Sequence, residues 1–502
     1  MRTIAAGRSS CSRVALACLL SSVACDVSRG PAVLVGPEGV PLTAGPTTPA
    51  SPTSLAVRPG VMRLTIGGTK VLAATASDSA GRTLSGVVVD WRSSDTNVVW
   101  VDAERGIVIG RAIGGATITA TTAGLRANAE IVVDKKNPFD IVFSSISTVG
   151  NYACGLEAVT NLAYCWGDNH SGALGIGGAE LLELPMLVGY GMKRFRNLSL
   201  SAYWNCAIEV GTDLPFCWGY SYDLPPTGSQ PGEVDVPSLV GAVRFRFSSI
   251  SAGTVVTCGI EVETSRAYCW GEAALIGDGA RMQRATPTQV GGAGSDLRFA
   301  TISASPAVVC GIESVTAHAY CWGRNDSGQL GDGNRTDRFV PTLVANGAIR
   351  FSAISAGESV VCGIEAQSAR ALCWGKNSLG QLGDGSVTSR LLPTPVADAG
   401  LRFSSIEAGP NMVCAIEAET EAAYCWGRNV YGSLGDGTRL DRLVPTLVAG
   451  GIRFASISTG GAGGAYGGYE TCGVEAKTGR AFCWGFDRLV PTLFEATPSW
   501  PK

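Results

Sequence analysis

The sequence has few of the residues on which catalysis and nucleic-acid binding usually depend. Its 502 residues include two histidines, His170 and His318, and charged residues make up 16% of the chain. The formal net charge is −3, and no run of lysine and arginine occurs. Two isolated histidines are few for acid–base chemistry or metal ligation, and a basic footprint for nucleic acid is missing. We therefore predict no catalytic residues, metal site, cofactor or nucleic-acid partner.

Cysteine, in contrast, is abundant, and the N-terminus explains why. A basic start is followed by the apolar run VALACLLSSVA at 14–24, which predicts a secretory signal peptide over 1–24 because it is too short to span a bilayer. SVAC, which ends at Cys25, resembles a bacterial lipobox and implies a lipid anchor, with simple secretion as the alternative. We therefore expect an exported protein of the bacterial cell envelope, in an oxidising compartment where its 17 cysteines can form disulfides.

Two segments separate this leader from the rest of the chain. Residues 25–54 are rich in proline, which predicts an extended linker, either lipid-anchored or free. Residues 55–134 contain short β-branched runs with turn signals about every ten residues, which predict a small β-sandwich with Trp91 in its core. The stretches VDWRSSDTNVVWVD and GIVIGRAIGGATITAT resemble the bacterial immunoglobulin-like domain of group 2. That resemblance implies a spacer or adhesive module at a bacterial surface.

From Phe143 onward a repeat of about 50 residues dominates the sequence. One unit contains four short runs, FSAIS, SVVCGIE, ARALCWG and LLPTPV, that are typical of antiparallel strands. Four such strands per unit predict a propeller blade. Seven units over 139–495 therefore predict an all-β protein, a seven-bladed β-propeller preceded by a small immunoglobulin-like β-sandwich. Each unit also carries a glutamate three residues after its first cysteine: Glu157, Glu209, Glu261, Glu313, Glu365, Glu417 and Glu475.

The two cysteines of each unit are eleven residues apart, on strands two and three of the predicted blade. A hairpin between these strands places the two residues directly opposite each other, within the Cα separation that a disulfide accepts. We predict seven disulfides: Cys154–Cys165, Cys206–Cys217, Cys258–Cys269, Cys310–Cys321, Cys362–Cys373, Cys414–Cys425 and Cys472–Cys483. The three remaining cysteines lie in or directly after the signal segment, so the pairing leaves no propeller cysteine over.

Three further repeated features have structural interpretations. The Trp-Gly after each second cysteine predicts packing between blades. Some of the repeated glutamates face arginine across the predicted hairpin, as Glu365 faces Arg370, whereas others face alanine or leucine, so cross-strand pairing is not their general role. The LGDG sequences, which contain Asp332, Asp384 and Asp436, predict tight Asp-Gly turns, with calcium binding as the alternative.

The pattern CGIE…CWGKNSLGQLGDG…LLPTPV resembles the repeat of the regulator of chromosome condensation, and in particular its bacterial, alpha-tubulin-suppressor-like members. The resemblance covers 139–495 and is most specific in repeats four to six. It implies a seven-bladed propeller. The eukaryotic namesake exchanges guanine nucleotide on a small GTPase and binds chromatin, whereas secreted bacterial propellers of similar repeat include a protein inhibitor of β-lactamases. The bacterial precedent implies a scaffold that serves as a binding platform.

The strongest departures from the repeat predict where a ligand binds. Strand direction alternates within a blade, so the loop between strands one and two and the loop between strands three and four emerge on one face. Repeats two and seven carry irregular, tyrosine-rich loops there, and they flank repeat one in a closed ring. Aromatic loop residues are favoured binding anchors. The predicted ligand-binding patch is Tyr203, Trp204, Tyr220, Tyr222, Tyr466, Tyr469, His170 and Asn169.

The leading functional hypothesis is a monomeric binding platform for a protein or a glycan, attached to the membrane only through its lipid anchor. A purely structural envelope role is the main alternative. An enzyme with a site in the propeller channel is disfavoured, because no Ser–His–Asp set and no histidine–carboxylate cluster occurs. Guanine-nucleotide exchange rests on family analogy alone.

Overall fold

The computed structural model describes most of the chain after residue 50. The described residues are 51–65, 68–112, 114–134, 141–169, 172–176, 181–191, 193–221, 232–240, 245–460, 470–486 and 488–494. The predicted signal peptide, Cys25 and nearly all of the predicted linker lie outside them. No helix in the described part of the chain has the length and apolar character needed to cross a bilayer.

The chain divides into two compact units, 1–54 with 76–87 and 55–75 with 88–502. In the described part of the first unit, Asp78 organises a turn. Its carboxylate accepts hydrogen bonds of 2.9 Å from the N–H groups of Ala80 and Arg82 and pairs with the Arg82 guanidinium at 2.8 Å. The carboxylate thereby satisfies the turn's exposed donors.

The N-terminal module is built from nine short strands. They are β1 (Ser54–Arg58), β2 (Val61–Thr65), β3 (Thr69–Val71), β4 (Ala73–Ser77), β5 (Asp90–Ser93), β6 (Val99–Val101), β7 (Ile107–Gly110), β8 (Gly114–Thr122) and β9 (Leu125–Asp134). They form sheets of order β2-β9-β8-β5, β3-β7-β6 and β1-β4. Trp91 lies in the apolar core, as predicted, with Val99, Val108 and Ile118. The immunoglobulin-like assignment remains a prediction.

Residues 143–493 form seven four-stranded antiparallel sheets, each made of four consecutive strands. We number these sheets as blades one to seven. Their strands are β10 (Phe143–Val149), β11 (Tyr152–Glu157), β12 (Ala163–Asp168), β13 (Leu181–Leu187); β14 (Phe195–Ser199), β15 (Trp204–Glu209), β16 (Pro215–Ser221), β17 (Gly232–Leu239); β18 (Phe247–Ala252), β19 (Val256–Glu261), β20 (Ala267–Gly271), β21 (Arg284–Gln289); β22 (Phe299–Ala304), β23 (Val308–Glu313), β24 (Ala319–Gly323), β25 (Arg338–Leu343); β26 (Phe351–Ala356), β27 (Val360–Glu365), β28 (Ala371–Gly375), β29 (Arg390–Pro395); β30 (Phe403–Ala408), β31 (Met412–Glu417), β32 (Ala423–Gly427), β33 (Arg442–Leu447); and β34 (Phe454–Thr459), β35 (Thr471–Glu475), β36 (Ala481–Gly485), β37 (Arg488–Leu493). Short 3₁₀ turns occur at Val188–Gly191, Ala273–Leu275 and Val344–Gly347. The predicted all-β propeller of repeated blades is confirmed.

The predicted disulfides are confirmed in all seven blades. Cys362 and Cys373 are direct partners in the β27–β28 ladder, and every cysteine pair has its Cα atoms 4.1 Å apart. All fourteen of these cysteine side chains are buried. The cross-links therefore fix the register of the central hairpin of each blade.

Each hairpin also holds the next blade through one residue with a left-handed backbone. This residue lies seven positions after the first cysteine, and its carbonyl accepts a hydrogen bond from the N–H of the phenylalanine that opens the following blade. In blade five, Ala369 has φ 56° and bonds Phe403 at 2.8 Å. Blade seven bonds blade one in the same way, from Phe143 N–H to the Gly479 carbonyl at 2.7 Å. This last bond links the two ends of the repeat array.

The repeated glutamate stabilises the hairpin turn. In every blade its carboxylate accepts a hydrogen bond from the serine or threonine hydroxyl three residues later, for example from Thr316 to Glu313 at 2.7 Å. Glu313 also accepts from the Thr316 N–H at 2.6 Å. The expected pairing of Glu365 with Arg370 is wrong at the side-chain level, because Arg370 pairs with Asp398 at 3.3 Å.

The repeated tryptophans pack between blades, as predicted. All seven are at most 1% exposed. Five donate their indole N–H to a carbonyl in the loop between strands three and four of the preceding blade, as Trp374 does to Gln329 at 2.9 Å. Gly331 of that loop lies against the indole so closely that a Cβ there would come within 2.7 Å of it. Trp166 and Trp270 have no hydrogen-bond partner for this group in the described structure.

The Asp-Gly turns use their carboxylates internally. Asp384 has a 4% exposed side chain, accepts hydrogen bonds from Asn377 and Ser386, and pairs with Arg390 at 2.7 Å. Burial raises the pKa of Asp384, but the bonds from Ser386 and Arg390 outweigh it and hold the pKa below its usual value. The equivalent arginines pair with the other two turns, Arg338 with Asp332 and Arg442 with Asp436. These contacts support the turn interpretation over calcium binding.

The left-handed hairpin residue provides a stability test. Replacing Ala369 by glycine should increase the free energy of unfolding by about 0.5–1 kcal/mol, because glycine adopts this backbone without steric cost, and that gain exceeds the extra chain entropy lost. Denaturant titration of the whole chain measures the change. The matched control Ala366→Gly, at a residue of the same turn outside the left-handed region, should give no gain. An equal effect of the two substitutions would contradict the account.

Candidate functional site

The first strand of every blade lines a central cavity. The residue opposite the first cysteine of each blade lies in the cavity wall, and it is serine in six blades and glutamate in one. These residues are Ser147, Ser199, Ser251, Ser303, Ser355, Glu407 and Ser458. The cavity has a volume of about 170 Å³, and the loops between strands one and two surround its mouth.

The serines join neighbouring blades. The hydroxyl oxygen of Ser355 accepts a hydrogen bond of 2.9 Å from the N–H of Ala408 in the next blade. Ser199, Ser251 and Ser303 form the equivalent bond at 2.9–3.0 Å, and Ser458 of blade seven accepts one at 3.1 Å from Thr148 of blade one. At the step from blade six to blade seven, no hydrogen bond between Glu407 and Thr459 occurs among the described residues.

Glu407 is a carboxylate held in an environment poor in compensating charge. Its side chain keeps some contact with the cavity but has protein on every other side. Burial therefore raises its pKa to about 7, although a hydrogen bond with Ser355 opposes the rise. In the described structure no lysine, arginine or histidine forms a salt bridge with it. A comparison of the seven first strands could have found this residue, because FSSIEAG departs from FSSISAG at one position.

Tyr203 and Tyr220 lie together on the face from which the cavity opens. The N–H of Tyr220 donates to the Tyr203 carbonyl at 2.7 Å, and both side chains are partly exposed. This backbone bond recurs in the described blades, so the pair has a fixed place in the repeat. The structure thus brings together two of the sequence-predicted patch residues.

Two other predicted patch residues have structural positions instead. Trp204 was expected on a loop, but it is the first residue of β15, is 4% exposed and packs with Ile250 and Trp270 in the core between blades two and three. Asn169 is 5% exposed, and its side-chain oxygen accepts the N–H of Leu174 at 2.8 Å. Neither side chain is available as a surface anchor. His170, Tyr222, Tyr466 and Tyr469 lie outside the described residues.

The same face carries charges that sequence reasoning missed. The position of Tyr220, three residues after the second cysteine, is occupied by basic residues in blades four to six: Arg324, Lys376 and Arg428. In blade three it is Glu272, which pairs with Arg324 at 3.5 Å. The basic residues of blades four to six therefore form an arc on the face that carries Tyr203 and Tyr220, with Glu272 and Glu358 on the same face. Aligning the residue after each CWG sequence would have revealed it.

Blade seven replaces a missing turn with an ion pair between a buried carboxylate and a partly exposed arginine. Its sequence lacks LGDG, and Arg488, which in the ladder matches Arg390 of blade five, pairs with Glu470 at 2.6 Å. Glu470 also lies close to Cys472 and Cys483, but these two sulfurs form a disulfide and are not available as thiolate ligands. This cluster is therefore a structural replacement.

Comparison with known proteins agrees with these repeats. The profile of the regulator of chromosome condensation (RCC1) repeat matches residues 317–364, 369–416 and 422–464. Residues 317–464 of the propeller therefore contain RCC1 repeats. The recognition of this family from the sequence is therefore confirmed, while the N-terminal module has no such support.

Three relatives show how far the similarity extends. The ultraviolet-B receptor UVR8 of Arabidopsis thaliana is 34% identical over 200 residues, 38% of this chain and 43% of that protein, so this chain spans less than half of the curated relative. The structure of human WBSCR16 matches 64% of this chain and 86% of its own, with a TM-score of 0.57 and 17% identity. Prp20p of Saccharomyces cerevisiae matches 63% and 80%, with a TM-score of 0.55 and 19% identity. These two structures support the fold alone.

The raised pKa of Glu407 predicts a pH-dependent stability. Between its ordinary pKa of 4.5 and the folded value of about 7, the folded state binds more protons than the unfolded state, so stability falls as the pH rises through this range. The shift corresponds to about 3 kcal/mol, and we expect about 2 kcal/mol because the carboxylate keeps some solvent contact. Denaturant titrations of the full chain at pH 5 and pH 8 measure it.

Glu407→Ser should remove this part of the pH dependence and stabilise the protein at pH 8. Glu358→Ser is the matched control, because Glu358 lines the same cavity but is exposed. The interpretation is wrong if Glu407→Ser leaves the difference between pH 5 and pH 8 unchanged.

Proposed function

We propose that this protein is an exported binding protein of the bacterial envelope that holds another protein on the cavity face of its propeller. The proposal rests on a contrast on that face. The strands and turns repeat from blade to blade, whereas a few side chains depart from the repeat. Tyr203 and Tyr220 lie at neighbouring positions of one blade, joined by a backbone hydrogen bond, and both side chains are partly exposed. Aromatic and arginine side chains are the residues that dominate binding energy at protein interfaces.

The relatives support binding as the general role. The structure of Prp20p is described together with its binding to Gsp1p and histones, and the curated relative UVR8 is a receptor. RCC1-type propellers thus serve as platforms for other molecules. We extend this role to the present chain, with a partner whose surface complements both the tyrosine pair and the arc of Arg324, Lys376 and Arg428.

The disulfides support export. Seven buried cross-links persist in an oxidising compartment and are rare in a reducing cytosol. We therefore propose that residues 1–24 direct secretion and that Cys25 carries the lipid anchor, with the linker 26–54 holding the folded part off the membrane. Export also separates the chain from cytosolic GTPases, which argues against nucleotide exchange.

Site-specific cross-linking tests the binding face. A photoreactive phenylalanine at position 220, introduced in the source organism, should form a covalent adduct with a discrete protein. The same group at Val210, on the opposite face of blade two and 40% exposed, should not. Tyr203→Ala/Tyr220→Ala should weaken capture of that protein at least tenfold, because anchor residues at an interface each contribute about 2 kcal/mol or more. Equal labelling from positions 210 and 220 would contradict the proposal and favour a purely structural role.

A further inference from the structure

The central cavity combines an unusual set of groups. All seven blades contribute to its wall, mostly through serine, glycine, alanine and backbone groups. Among the residues that the structure describes, the lining contains two ionisable side chains, Glu358 at the exposed mouth and Glu407 in the wall. This described lining has no lysine, arginine, histidine or aromatic ring. The cavity therefore presents hydrogen-bond acceptors and one inward carboxylate without a cation.

We propose that this cavity binds one protonated amine or guanidinium group, with Glu407 as its carboxylate partner. The group would be the end of a lysine or arginine side chain that a bound protein inserts at the centre of the cavity face. The identity of the donor as a protein rests on the proposed function. The cation site itself rests on the cavity alone.

The chemistry of the lining selects among ligand classes. An ammonium or guanidinium group brings only hydrogen-bond donors, which match a carboxylate, serine oxygens and carbonyl groups. An anion would meet Glu407 with no basic residue to offset it. Calcium takes six to eight oxygen ligands, commonly including several carboxylates, whereas a single carboxylate reaches inward here. The volume of about 170 Å³ suits one side-chain end rather than a large molecule.

The position of Glu407 in the repeat strengthens the inference. Serine at this position joins two blades, as the bond from Ala408 N–H to Ser355 shows. Five of the six serines form this bond, whereas Glu407 forms none with Thr459, whose hydroxyl is buried without a partner in the described structure. It also places a carboxylate where burial disfavours its charge. Residues that break a local rule at a cost in stability are characteristic of functional sites.

Few other charges act on Glu407. The strands packed against β30 are β26, β27, β31 and β34, and their ionisable residues are Glu365 and Glu417. Both lie at the hairpin ends of their strands, where each accepts a hydroxyl hydrogen bond from its own turn. A cation in the cavity would thus interact chiefly with Glu407.

Calorimetric titration of the full chain with Nα-acetyl-lysine-methylamide tests the site. We expect saturable binding with one site per chain. Glu407→Gln should weaken it at least tenfold, while Glu358→Gln should leave the affinity within about twofold. Because a proton competes with the cation for a carboxylate of pKa about 7, affinity should be about tenfold weaker at pH 6 than at pH 8. This pH dependence should disappear in Glu407→Gln.

Three results would overturn the inference. The first is equal binding of the neutral analogue whose side-chain nitrogen is also acetylated, and the second is amine binding that does not respond to Glu407→Gln. The third is tight binding of Ca²⁺ that depends on Glu407. The outcome is separable from the protein-binding proposal. If the amine fails to bind while capture of the partner protein still depends on Tyr203 and Tyr220, the cavity proposal is wrong and the protein-binding proposal stands.

Discussion

The cross-linked hairpin between strands two and three is the constraint on which the rest of each blade depends. A disulfide between directly opposed residues leaves that hairpin one register. In blade five this register places Trp374 against the preceding loop, Glu365 at the turn and Ala369 where its carbonyl meets the next blade. The residue opposite the first cysteine then lines the central cavity. The cysteine pair thus sets the core, the joints between blades and the cavity wall.

This regular frame makes the exceptions interpretable. Because every blade presents equivalent positions, a residue that differs from its six counterparts lies in a known environment. Glu407 replaces a serine that lines the cavity wall in the other six blades. Tyr220 occupies a position that is acidic in blades one and three, basic in blades four to six and phenylalanine in blade seven. Glu470 differs for another reason, since it compensates Arg488 for a missing turn. Glu407 lines the cavity and Tyr220 is partly exposed on the cavity face, and these two residues carry the functional proposals.

Much of this architecture could be predicted from the sequence, because it depends on spacing. Two cysteines eleven residues apart indicate the hairpin, and the repeated Trp-Gly indicates packing between blades. Trp204 was misplaced on the loop although it is equivalent to Val360 in the predicted strand SVVCGIE, and both residues begin strand two of their blades. The role of the repeated glutamate was missed because its partner is a local hydroxyl, as in Glu313 with Thr316, rather than a charge across the hairpin. Predicting Glu407 as a site residue would have required knowing which face of the first strand lines the cavity.

Thiol trapping in the source cells tests the central claim, that an oxidised propeller frame outside the cytosol presents the binding face. Cells are treated with a membrane-permeant alkylating agent, and the protein is digested without reduction and examined by mass spectrometry. The account predicts that all fourteen propeller cysteines escape alkylation and appear as seven cross-linked peptide pairs, each joining cysteines eleven residues apart. Alkylated propeller cysteines would contradict the export of the protein. Disulfides that join different blades would contradict the register of the frame.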